Sequence, residues 1–156
     1  MKRLTGVLAI VFGVAALAAT PLVADTEVGT VTAAAAAALP GGPVLAGVSL
    51  EGVEVGTGVF IESDGSATGQ LHAVLLGISP FGQPQQIVVE GTVGGGSLGG
   101  GQASFGGTAT VDLGNGAAPL PAVPFSVTAT ADTLVLTLDG TTLPAAVPTA
   151  GAITVE

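Results

Sequence analysis

The chain contains no cysteine, no tryptophan and no tyrosine, and among its 156 residues only Lys2 and Arg3 carry a permanent positive charge. Each absence removes a class of function. Without cysteine there is no disulfide, no thiol nucleophile, no zinc–thiolate site and no lipoprotein anchor, so a hydrophobic core alone must hold the fold. Without Trp and Tyr there are no aromatic girdles of the kind that transmembrane β-barrels wear at both interfaces. An immunoglobulin-type sandwich, with its Cys and Trp, is disfavoured on the same ground. The near-absence of cations argues against nucleic acid, whose binding requires basic side chains to displace counterions. It argues equally against anionic membrane surfaces and against a lysine Schiff base. The single asparagine, Asn115, is followed by Gly-Ala, so there is no glycosylation sequon.

What little positive charge exists lies at the start. "MKR" precedes the apolar run Leu4 to Ala19, and small residues follow, with A-x-A sites at Ala16-Leu17-Ala18 and ending at Ala24. This order is that of a secretory signal peptide, expected over 1–24, and the run is shorter than the roughly 20 apolar residues that span a bilayer. All eleven acids lie at or after Asp25. The mature chain is therefore expected to have no Lys, no Arg and no transmembrane span, and to be secreted, periplasmic or displayed at the cell surface. The alanine- and glycine-rich, lysine-poor usage fits a GC-rich bacterial genome. Residues 25–43, with the run Ala33 to Ala38, read as an Ala-rich linker too short to hold a helix alone. Residues 44–156 read as one domain.

In that domain the hydrophobic period is two. "FSVTATA" sets Phe125 and Val127 against Ser126 and Thr128; "TLVLTLDG" sets Leu134, Leu136 and Leu138 against Thr133, Val135 and Thr137. "SFGGTATVDL" and "QIVVEGTV" alternate in the same way, with Val111 and Val89 on their apolar sides. Alternation rich in Val and Thr and broken by Gly and Pro marks strands. About eight are expected, over 44–50, 53–62, 67–78, 86–93, 102–113, 124–131, 133–139 and 151–156. The class is all-β, a single antiparallel domain, with a small β-barrel favoured over a two-layer sandwich. Asp64-Gly65 and Asp139-Gly140 are the preferred centres of two-residue type I′ hairpin turns. A two-residue turn at Asp64-Gly65 would put Phe60 across from Gly69 and His72 across from Thr57, sharing a face with Val55 and Val74. The glycine-rich stretch from Gly94 to Gly101 has no lysine for a P-loop and leads into a strand, so it reads as a flexible connection.

Candidate chemistry centres on few residues. His72 is the only imidazole, and a hydrolytic triad would have to use it with Ser66 or Ser79 and an acid such as Asp64 or Glu54. No G-x-S-x-G elbow accompanies it. Glu62 and Asp64 in "ESDGS" offer oxygen ligands that would suit calcium, without the spacing of a calcium loop. No other cofactor is implied. Phe81, between Pro80 and Pro84, sits in a stiff apolar loop of the kind that marks contact surfaces. The expected function is that of a non-enzymatic β-domain binding a small apolar ligand or a protein partner. A structural or oligomerising envelope protein and a hydrolase using His72 are the alternatives. A void of a few hundred Å3 inside the fold would favour a ligand; a filled interior with an apolar exterior would favour assembly.

Overall fold

The computed structural model describes residues 28–156. The expected signal peptide and the first residues of the expected linker lie outside the described residues. The described chain forms ten strands: β1 Gly29–Ala38, β2 Val44–Leu45, β3 Val48–Ile61, β4 Ser66–Ile78, β5 Pro84–Gly99, β6 Gln102–Asp112, β7 Leu120–Ala129, β8 Leu134–Leu138, β9 Thr141–Thr142 and β10 Val147–Val155. All pair antiparallel in one sheet of order β10-β1-β3-β4-β5-β6-β7-β8-β9, with β2 paired beside β3. The sheet curls through 209° into a half-barrel that stays open.

The alternation of apolar residues sets the inside. Leu134, Leu136, Leu138, Phe125, Val127 and Val111 are all buried, as the period of two predicts. They join Val31, Val48, Leu50, Ile61, Leu75, Ile87 and Val89 in one core that contains no buried polar side chain among the described residues. The curl brings distant strands together: a small gap of about 10 Å3 is walled by Leu39, Val53 and Leu75 on one side and Leu134, Leu136 and Leu143 on the other. Curvature comes from register shifts at Leu50/Gly52, Ser66/Gly69, Val93/Gly95 and Ala109/Val111, because a β-bulge bends and twists its strand.

Four expectations are corrected. Residues 29–38, expected to be linker, form a strand held on both sides, by β10 and by β3. Ala33, Ala35 and Ala37 point into the core, and Ala34 and Ala38 to solvent. Six identical residues hide a period of two, and the neighbours supply the pairing that alanine's low β-propensity does not. Residues 94–99, expected to be flexible, continue β5 and pair with β6 down to Gly99↔Gln102. The two segments expected over 44–50 and 53–62 merge into β3 across a bulge, with β2 folded back on it.

The fourth correction concerns register. Gly140 and Asp139 both have positive φ, 77° and 47°, between the paired Leu138 and Thr141: the two-residue turn expected there. At Asp64-Gly65 the turn is one residue longer. Gly65 N–H donates to Glu62 O at 3.0 Å, Gly65 takes φ 85°, and Glu62 N–H donates to Ser66 O at 2.9 Å. This three-residue turn slides the β3–β4 ladder by one. Phe60 therefore faces Thr68, Gly69 faces Val59, and His72 faces Gly56 rather than Thr57. Val55 points into the core, on the opposite side of the sheet from His72.

Candidate functional site

The outer face around His72 is built from a row of cross-strand neighbours, Ala34–Gly56–His72–Glu90–Thr110, running over β1, β3, β4, β5 and β6. Leu71 and Ala73 are buried, so alternation turns the imidazole outward. Gly56 beside it has no side chain, and Gly58 lies two residues further along the same face. The result is an open recess of about 560 Å3 along Gly56, Gly58, Gln70, His72, Glu90 and Thr92. A second recess of about 420 Å3 lies on the other side of His72, over Ala34, Ala36, Glu54, Val74 and Ala150. His72 stands between the two as a post.

His72 Nδ1 lies 3.8 Å from Glu90 Oε1, with the two side chains 57% and 71% exposed. That spacing is beyond hydrogen-bond range, and so exposed a pair contributes little to stability. The named triad partners do not gather here. Ser66 opens β4 and Ser79 follows its end, each roughly 20 Å from His72 along an extended strand. Asp64 is in the turn beyond Ser66. Glu54 lies on the same outer face as His72, one paired row away, opposite Val74.

Glu62 and Asp64 flank the β3–β4 turn. The Asp64 carboxylate accepts from Ser66 N–H at 2.8 Å. The Ser66 hydroxyl, and after it the Ser66 amide, hold the Asp64 carboxyl below its ordinary value. Among the described residues no three His, Cys, Asp or Glu side chains come together in an arrangement able to hold a metal ion. Phe81 caps the β4–β5 turn and is 88% exposed.

At that same end, Val44 and Leu120 are also exposed. They accompany an apolar cleft of about 210 Å3 between Leu45 and Ala46 on one side and Val111, Leu113, Leu120, Val123 and Leu138 on the other. Proline-containing β7 supplies Leu120 and Val123 to this wall at the mouth of the half-barrel. The small residues that shape the outer recesses, Gly56, Gly58, Ala34 and Ala36, were not among the sequence candidates. Glycine inside a strand is the one signal that pointed to them, since it marks a place where the sheet carries no side chain.

The chain matches no known protein-family model, no curated protein and no solved structure.

Proposed function

We propose that this protein is an exported, non-enzymatic β-domain that works by protein contact, assembling with copies of itself in a structural role at the cell envelope. The observation that carries this reading is the filled interior. The gap between the two sides of the curled sheet is about 10 Å3, at the lower limit of what holds one water molecule. A domain whose core has no room for a guest must use its surface. That surface bears no Lys or Arg among the described residues; one outer recess opens over Gly56 and Gly58 beside Gln70, His72, Glu90 and Thr92, and the other lies over Ala34, Ala36 and Ala150 beside Glu54. The separation of His72 from Ser66 and Ser79 gives the hydrolytic alternative no support.

Light scattering of the full chain across dilution tests this. A mass that rises with concentration is the expected result. A strictly monomeric protein would overturn it. One observation favours a second reading: the apolar mouth cleft with Leu45, Leu120 and Val123 has the lining of a site for a small apolar ligand, although its volume lies under the range usual for such sites. Saturable uptake of one equivalent of a short alkanol by a monomeric chain, abolished by Val123→Phe, would select that reading instead.

A further inference from the structure

We infer that the free edge of β10 is a self-pairing edge, at which a second copy of this chain adds its own β10 antiparallel and joins two half-barrels through one continuous sheet. The inference rests on the assembly reading above and names the surface responsible.

The two edges of the sheet are treated differently. At the β8 edge the chain seals itself: β9 pairs with β8, Leu143 N–H donates to Leu136 O, and Ala146 and Leu134 exchange hydrogen bonds at 2.8 and 3.0 Å. The β10 edge has β1 on one side and, among the described residues, no strand on the other. Which groups are left follows from the ladder. Thr30 and Glu156 exchange N–H···O bonds in both directions. By the alternation of an antiparallel pair, Thr154, Ala152 and Ala150 also bond to β1. The backbone N–H and C=O of Gly151, Ile153 and Val155 therefore point away from the sheet. Such a row is a template for another strand.

Edges of this length are normally blocked by charge, proline or a bulge. β10 has Pro148 and a bulge at its start, but from Ala152 to Val155 it carries none of the three. No residue of β1 or β10 is ionisable, whereas the acids of the described chain fall on Glu51 to Asp139 and on Glu156 beyond the strand. In a chain of formal net charge −9, a second copy is the partner that such a neutral flank selects. Like-charged bodies can approach only where neither carries charge, while a cationic partner would be drawn to the acids instead. A two-fold axis beside Ala152 sets Gly151 opposite Ile153 of the second copy, satisfying both sets of outward groups. It sets Glu156 opposite Pro148, so no two acids meet. Ala152 then lies across from its own copy on the outer face, at a wide pair with Cα atoms about 4.5 Å apart.

The absence of native cysteine makes the test direct. In the full chain, Ala152→Cys should give a covalent dimer on mild oxidation, since that spacing lies within disulfide range. Ser126→Cys, on the outer face of β7, should stay monomeric on a non-reducing gel. Ala152→Glu and Ala152→Lys should each weaken association about a hundredfold in sedimentation velocity, and an equimolar mixture of the two should restore it. A folding defect would not be rescued by mixing. If the wild type associates but neither charge at 152 weakens it and Ala152→Cys does not cross-link, the edge assignment is wrong while the assembly reading stands. If the wild type is monomeric at every concentration, both fall.

Discussion

Replacing Gly91 by alanine puts the packing of the half-barrel to a quantitative test. Gly91 faces inward from β5, and the Phe125 ring of β7 lies over it across the curl. A Cβ at residue 91 would sit 2.6 Å from Phe125 Cε1 and 2.9 Å from Cζ, against the roughly 3.5–4.0 Å of ordinary carbon contact. The ring must retreat by about 1 Å, and at 5% exposure it is enclosed on the other sides. Overpacking of this kind costs about 1–3 kcal/mol. The opposing effect has a known sign: glycine to alanine inside a strand otherwise gains about 0.5–1 kcal/mol. Net destabilisation would therefore report the clash alone. Subtracting that gain leaves a net cost of up to about 2.5 kcal/mol, and at roughly 4 °C per kcal/mol for a domain of this size calorimetry should show Tm falling by up to about 10 °C. The partner substitution gives the control. In a Phe125→Leu background the same Gly91→Ala change should cost almost nothing, a coupling that two independent sites would not show. A Tm for Gly91→Ala above that of wild type would refute the close packing of β5 under β7.

Three further outcomes are expected. The Asp64 carboxyl is held below its ordinary value by Ser66, so the order it lends the β3–β4 turn is complete above the usual carboxylate range and is lost as pH falls through the lowered value. An NMR pH titration of the Ser66 amide should show the change, and Asp64→Ala should show the low-pH spectrum of the turn at neutral pH. Ala122 has φ 56°, a conformation that costs an L-residue about 1–2 kcal/mol, so Ala122→Gly should raise Tm by a few degrees, and a fall would contradict the backbone described for β7. With acids unopposed by any Lys or Arg after Arg3, thermal stability should rise with added NaCl as self-repulsion is screened; a Tm indifferent to salt would mean that the charges are too dispersed to matter.

The strands that could be read from sequence were those whose two faces differ chemically. Leu134 to Leu138 and Phe125 to Ala129 alternate large apolar residues with Thr and Ser, so one face had to be the core. Where the faces are chemically alike, the signal vanishes: β1 is nearly all alanine, and the far half of β5 nearly all glycine. Both are strands because of their partners. Register failed for a different reason. Asp-Gly occurs at two turns, and the dipeptide is compatible both with the two-residue turn at Asp139-Gly140 and with the three-residue turn that ends at Gly65. A single inserted residue then moved every pair between β3 and β4, placing Gly56 rather than Thr57 beside His72. The outer recesses depend on that slip, and so lay beyond what local sequence could fix. The open edge also comes from topology, which alternation does not encode.

The placement of β1 between β3 and β10 governs when the fold can be completed. One neighbour, β3, follows after a short connection; the other, β10, begins only at Val147, so Ala36↔Ala150 joins residues separated by nearly the whole described chain. Closing so long a loop is entropically costly and slow. During synthesis, β1 would present a bare, charge-free border until its late partner arrived. The same nine residues that finish the sheet then become its new frontier, and a chain cut short before Val147 would leave the alanine strand exposed in their place.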